Sequence, residues 1–250
     1  MGALAGRIER AGSRCSLTRS VLEEWSRAGT PRQREFLAGF LEAEVASRDA
    51  SRRARLLRAA ALPVPKSFEG YDWSPVSLPE GLPRADLESL AFLGRREDLV
   101  LVGDVGTGKT HMASALVRAA CLAGTEARFF TAAPLVARLR RAKSDGRLDR
   151  ELAQIARAGL VAVDELGYLP LDPEGARLLF QVISESYERR SLVITTNLEF
   201  ARWASVFGDD QMAAAVVDRL CHHGRVVRFR GESYRVRHAL MRGGSEGGAR

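Results

Sequence analysis

In the stretch "LVLVGDVGTGKTHMASAL", residues 99–116, an apolar run ends in a loop of three glycines, a lysine and a threonine follow, and an apolar helical pattern comes next. Gly103-x-x-x-x-Gly108-Lys109-Thr110 between a strand and a helix is the spacing of a phosphate cradle. Glycines let the backbone curl until successive N–H groups turn toward phosphate oxygens. The N-terminus of the following helix adds partial positive charge at the same place. Lys109 is expected to reach the β- and γ-phosphates of ATP, and Thr110 to hold Mg2+ through its hydroxyl. The residues expected to bind these cofactors are Gly103, Asp104, Val105, Gly106, Thr107, Gly108, Lys109, Thr110 and His111.

A cradle binds but does not hydrolyse. The strand "LVAVDE" (160–165) adds two carboxylates at the end of an apolar run. Asp164 suits a water-mediated Mg2+ ligand. Glu165 has no packing reason to stand there and suits the group that orients or deprotonates an attacking water. The plain alternative is a pair of strand-end carboxylates facing solvent. "LVITTN" (192–197) closes a further apolar strand with Asn197. Ligands of parallel α/β sheets gather at the carboxyl ends of strands, so Asn197 is expected to sense the γ-phosphate and help place water. A Thr-Asn turn would be the structural alternative.

These residues need a frame. From about residue 99 onward, short apolar runs alternate with helical segments. Strands are expected at 99–103, 126–131, 160–165, 192–197 and 226–231, with helices at 109–122, 134–143, 148–157, 173–189 and 209–221. Fully apolar short strands alternating with helices predict a parallel sheet covered on both faces, an α/β fold. Upstream, residues 1–15 read as irregular and basic. A helix is expected from Leu17 to Ala28 with Val21, Leu22 and Trp25 on one face. Thr30 suits a cap and Pro31 a first helical position. Phe36, Leu37, Phe40, Leu41 and Val45 then recur at helical spacing. Residues 63–83 hold five prolines and three aromatics without a period, which is linker composition. The expected plan is a helical, partner-binding unit at 1–66, a linker at 67–83, an ATPase domain at 84–241 and a disordered glycine-rich tail at 242–250.

The formal net charge of the 250-residue chain is +7. Residues 1–66 carry thirteen Arg/Lys against seven Asp/Glu, so most of the excess lies in the helical unit. Such a balance favours polyanions as partners. No apolar run approaches the ~18–20 residues of a membrane helix, and the start lacks the apolar core of a signal peptide. No membrane association and a cytoplasmic location are expected. The three cysteines, 15, 121 and 221, match no metal or redox spacing and read as reduced thiols. Only three lysines stand against 35 arginines, and one of the three is Lys109. Arg138, Arg140, Arg141 and Lys143 cluster on one predicted helix, with Arg138 and Arg141 on a shared face. That row suits sequence-independent, salt-sensitive binding to a phosphate backbone; a solvated helix face would account for it equally. No aromatic residue interleaves it, so stacking on single strands gains no support.

The cradle, "VDELGYLP" (163–170), "LVITTN", "VVDRL" (216–220) and "GESYR" (231–235) stand in order. With "FLAGFLEAEVASR" (36–48) in the helical unit, the chain resembles IstB-like AAA+ ATPases, the transposition helpers of insertion sequences, whose relatives load replicative helicases. The resemblance spans nearly the whole chain. It implies ATP-dependent homo-oligomers that wrap and bend duplex target DNA, with a transposase (or a replicative helicase) as protein partner. It also implies that Arg219 is an arginine finger reaching a neighbouring subunit's ATP and that Arg235 contacts the γ-phosphate in cis. Phe68, Tyr71 and Trp73 could border an adenine pocket or pack domains together. The chain departs from the common AAA+ pattern at Asp104-Val105, where Pro-Pro or similar is frequent, and Asp104 adds negative charge near phosphate. A small-molecule kinase and a non-hydrolysing, nucleotide-gated scaffold are the rival uses of such a loop.

Overall fold

Thr30 and Gln33 form a reciprocal cap: the Gln33 N–H donates to Thr30 Oγ1 at 3.3 Å, and the Thr30 N–H donates to Gln33 Oε1 at 2.8 Å. With Pro31 in the first helical position, a helix then runs from Pro31 to Ala60. Numbered along the computed structural model, which describes residues 2–234, this is α3, preceded by α1 (Ala3–Arg14) and α2 (Arg19–Trp25). Most of the segment expected to be irregular, residues 1–15, is therefore helical over Ala3–Arg14. The buried positions of α1 include Ala5, Ile8, Ala11 and Gly12. Gly6 and Gly12 lower the intrinsic helix propensity of this segment, although its buried positions recur at helical spacing with Arg7, Arg10 and Arg14 on another face.

Two compact units divide the chain, one ending at Arg55 and the other beginning at Leu56. The division falls inside α3, upstream of the composition change at residue 66. In the first unit Ile8, Ala11, Cys15, Leu22, Ala38, Leu41 and Val45 form a small core. Arg7 bridges Glu35 and Glu42 at 2.8 Å each, tying α1 to α3. The expected apolar faces are only partly used. Leu22, Leu41 and Val45 are buried, whereas Val21, Trp25, Phe36 and Phe40 are exposed, Phe36 by 77%.

The second unit carries β1 (Val76–Ser77), α4 (Arg84–Glu88), α5 (Ala91–Gly94), β2 (Asp98–Gly103), α6 (Lys109–Leu122), β3 (Ala127–Thr131), α7 (Ala132–Ser144), α8 (Leu148–Ala156), β4 (Leu160–Leu166), α9 (Pro173–Ser186), β5 (Ser191–Thr196), α10 (Ala204–Phe207), α11 (Asp210–His222) and β6 (Gly224–Phe229). The strands form one sheet in the order β1-β6-β2-β5-β4-β3. All neighbours run parallel except β1, which pairs antiparallel with β6 from within the segment read as linker.

Alternate side chains of each strand enter opposite cores. Leu99, Leu101, Ala162 and Val193 pack with Met112 and Leu116 of α6. Val100, Val102, Val161, Val163 and Ile194 pack with Leu135, Leu139, Leu179, Val182 and Val216 of α7, α9 and α11. This two-sided burial is why the strands carry no polar alternation. The helices on the second face are capped as their sequences suggest: Asp172 accepts from the Gly175 N–H ahead of α9, and Asp209 from the Met212 N–H ahead of α11. Asp98, buried at the start of β2, accepts the Leu192 N–H at 2.7 Å and links the β2 and β5 starts. Burial pushes its carboxyl up to about 7. Cys15, Cys121 and Cys221 are all free thiols, and burial pushes the Cys121 and Cys221 thiols up. Among the described residues no helix is long and apolar enough to cross a membrane.

Candidate nucleotide site

The glycine loop sits where β2 ends and α6 begins. Gly106 has φ +83°, and a Cβ there would lie 2.0 Å from Ser233 Oγ, so the position admits only glycine as the chain is folded. The Tyr234 N–H donates to the Gly106 carbonyl at 2.9 Å, so the segment after β6 closes against the loop. Lys109 Nζ donates to the carbonyls of Gly103 and Asp104 at 2.6 Å each, and the Thr107 hydroxyl donates to the same Asp104 carbonyl at 2.7 Å. Asp104 thus serves the loop through its backbone while its side chain, like Val105, is exposed. The ammonium is held at the helix N-terminus, where phosphate oxygens could replace the loop carbonyls.

Register places the two carboxylates. Val163 pairs with Ile194 and Leu166 with Thr196, so Asp164 and Glu165 together oppose the single residue Thr195. This is a β-bulge, a device that re-aims side chains at the end of a strand. Glu165 takes φ +62°, a left-handed conformation that a non-glycine residue adopts only when its surroundings enforce it. The enforcing contact is its own N–H, which donates to Thr195 Oγ1 at 2.9 Å. Thr195 in turn donates to Asp164 Oδ1 at 2.5 Å, and the Thr110 hydroxyl donates to the same oxygen at 3.1 Å. Asp164 is buried and Glu165 exposed beside it. Thr110 and Asp164 offer adjacent hard oxygen donors, the chemistry that suits Mg2+. Thr195 was not among the residues read from the sequence. Asn197 stands exposed immediately after β5.

A cavity of about 580 Å3 opens over the loop, and its walls include Lys66, Tyr71, Thr107, Lys109, Thr110 and His111. Nucleotide-sized pockets fall in the ~300–1,000 Å3 range. Of the three linker aromatics only Tyr71 lines it. Phe68 and Trp73 stack on each other behind Tyr71, at 5.6 Å between centroids. The Tyr71 ring meets His111 edge-on at 4.9 Å, and burial pushes its phenol well above the usual range. His111 shares its Nε2 with the Ser67 carbonyl at 2.9 Å, and the Ser114 hydroxyl donates to the Val64 carbonyl at 2.7 Å. The segment from Pro63 to Asp72, read as linker, is one wall of the pocket.

The remaining candidates lie elsewhere. Arg219 donates to the Ala215 carbonyl on its own helix, and its guanidinium sits 5.1 Å from the Phe180 ring centroid of α9, away from the cradle. Arg235 lies outside the described residues, as does the tail 242–250. The basic row is on α7, as expected, but partly neutralised. Arg138 pairs with Glu151 at 2.5 Å, Arg140 with Asp172 at 2.5 Å, and Lys143 with Glu174 at 2.7 Å. Arg141 makes no ion pair among the described residues and is exposed.

A glycine cradle at the end of the central strand, with an acidic pair at the end of a strand one removed from it, defines a P-loop protein of the AAA+ fold. The sequence pattern of the IstB-like ATP binding protein family matches residues 20–241, and the chain belongs to that family. Among its relatives, the ATP-binding protein of insertion sequence IS5376 from Geobacillus stearothermophilus is 35% identical over 87% of this chain and 87% of its own length. The corresponding insertion sequence IS21 protein of Pseudomonas aeruginosa is 39% identical over 82% of this chain and 77% of its own. The fold is similar to that of a DnaC helicase loader, with a TM-score of 0.53 and 23% identity over 70% of this chain and 99% of that one. It is also similar to AMPPCP-bound DnaA from Aquifex aeolicus, with a TM-score of 0.53 and 13% identity over 69% of this chain and 52% of that one.

Proposed function

We propose that this chain hydrolyses ATP with Mg2+ and uses the cycle to assemble on duplex DNA and remodel it for a transposase. The observation that carries the reading is the connected set beneath the cradle: Thr110 on Asp164, Asp164 on Thr195, and Thr195 on the Glu165 N–H. In this mechanism Lys109 leaves the Gly103 and Asp104 carbonyls for phosphate oxygens. Thr110 and Asp164 hold Mg2+, which supplies charge neutralisation when bound. The exposed Glu165 carboxylate accepts a proton from water, and Asn197 helps orient that water. Binding at Lys109 favours assembly, and turnover through Glu165 releases it.

Arg219 fits a role in trans, because among the described residues it contacts Ala215 and Phe180 and not its own cradle. An arginine supplied by a neighbour can raise turnover by roughly 10^3–10^5. Arg235 is proposed as the cis γ-phosphate contact. The exposed Trp25, Phe36 and Phe40 support partner docking by the helical unit. That its relatives are insertion-sequence proteins favours a transposase as that partner over a replicative helicase.

The test is Glu165→Gln. It should retain ATP, lower turnover by about 10^2–10^4, and leave long-lived oligomers on duplex DNA in native gels and sedimentation. Normal disassembly by this variant would remove hydrolysis from the mechanism. Pull-down with a transposase and with a replicative helicase separates the two partners.

A further inference from the structure

At the N-terminal ends of the central strands, the end of the sheet opposite the cradle, the turn after α9 meets the C-terminus of α11. Glu188 comes from the first; His222, the last residue of α11, and His223 come from the second. One nitrogen of each imidazole and one Glu188 oxygen all lie within 4.8 Å of one another. The Glu188 carboxylate lies 2.9 Å from His223 Nε2, and the Tyr187 hydroxyl lies 2.8 Å from His222 Nδ1. The two imidazoles stand nearly perpendicular, with centroids 4.4 Å apart.

The frame under these side chains is built. Glu188 takes φ +57°, a strained conformation for a non-glycine residue, and its carbonyl accepts from Arg96 at 2.9 Å. The His223 carbonyl accepts the Asp98 N–H at 3.0 Å. At Gly224 a Cβ would lie 1.9 Å from the Leu220 carbonyl oxygen, so only glycine lets the chain turn directly after His223. Two of the four histidines of the chain are therefore fixed side by side against a carboxylate. Nothing in the nucleotide chemistry uses them.

We propose that Glu188, His222 and His223 bind a divalent transition metal ion of the zinc class, with water completing the shell. Two imidazoles and a carboxylate are a recurring zinc donor set, with ligand bonds of about 2.0–2.2 Å. Two such ligands of a tetrahedral ion stand about 3.3 Å apart, so the His223–Glu188 pair has only to open slightly from its 2.9 Å contact. Tyr187 is the outer-shell partner that orients a ligating imidazole. The ion bridges α9 and α11, the two helices between which Arg219 stacks on Phe180.

The experiment uses the full chain without nucleotide. Zinc is titrated against a chromophoric chelator, and Co2+ serves as a visible probe of the ligand field. One equivalent should bind, and Glu188→Gln, His222→Gln and His223→Gln should each weaken binding at least tenfold. The adjacent exposed thiol is the obvious competitor, so Cys221→Ser should leave binding unchanged. In the unaltered chain, substoichiometric zinc should shift the imidazole NMR signals of His222 and His223 and not those of His111, a readout independent of whether a variant folds. Absence of stoichiometric binding, or binding that survives the histidine changes and is lost in Cys221→Ser, overturns the proposal.

Discussion

The Thr195 hydroxyl donates to Asp164 Oδ1 at 2.5 Å and, through the same oxygen, accepts the Glu165 N–H at 2.9 Å. One side chain on β5 thus holds both acidic residues of β4. It fixes the carboxylate that faces Thr110 and pins the backbone that presents Glu165.

Thr195→Val keeps shape and volume but leaves Asp164 and the Glu165 N–H each without this partner. A buried polar group so orphaned costs about 1–3 kcal/mol. ATP turnover is expected to fall at least tenfold with a smaller change in nucleotide affinity, while Thr195→Ser stays near the unaltered rate. Steady-state kinetics with thermal denaturation distinguishes the two. Equal losses in both variants would remove the hydroxyl from the explanation.

Lys109→Ala should keep its fold, because Lys109 belongs to neither apolar core of the sheet; its contacts to the two loop carbonyls are among those it loses. Charge-assisted hydrogen bonds are worth about 1.5–3 kcal/mol, so ATP affinity should drop on the order of 10- to 100-fold. Fluorescent-nucleotide titration measures it, and circular dichroism checks the fold.

At Tyr71 the ring is expected to matter more than the hydroxyl. The Tyr71 hydroxyl reaches the Gly108 carbonyl only at 3.4 Å, a long contact. Tyr71→Phe should bind nucleotide within about twofold of the unaltered chain, and Tyr71→Ala roughly tenfold more weakly, through lost stacking and pocket wall. The same titration separates them; a larger loss in Tyr71→Phe would assign recognition to the phenol.

On α7, Arg141 should contribute most to duplex binding. Arg140 and Lys143 share Asp172 and Glu174, so their charge is already answered. Arg141→Ala is expected to weaken binding and reduce the slope of log affinity against log salt by about 0.9, the value for one phosphate. Glu174→Gln, which releases Lys143 and leaves Arg140 paired with Asp172 alone, should strengthen binding. A salt series on one duplex reads both; no effect from either would take α7 off the DNA surface.

The cradle, the strands on which it hangs and the acidic pair were legible because each is a run of contiguous residues with its own local chemistry. Lys109 and Thr110 follow the glycines directly, and "LVAVDE" ends a continuous apolar run. The capping of α3 by Thr30 and Pro31 was legible for the same reason. Less was read at α1, where Gly6 and Gly12 lower helix propensity although Ala5, Ile8 and Gly12 recur at helical spacing. The apolar periods of α2 and α3 were legible, yet the small first unit covers Leu22, Leu41 and Val45 and leaves Trp25, Phe36 and Phe40 outside. A helix periodicity states which residues share a face, not how much partner surface exists to cover it.

By itself the sequence determined that this chain carries a phosphate loop on a parallel sheet, since glycine spacing and strand hydropathy act over a few neighbouring residues. Tertiary structure decided that Thr195 holds Asp164 and Glu165, that the Pro63–Asp72 segment walls the pocket, and that Glu188 meets His222 and His223. Each of those depends on register and turn geometry between segments far apart in the chain, which no local pattern encodes.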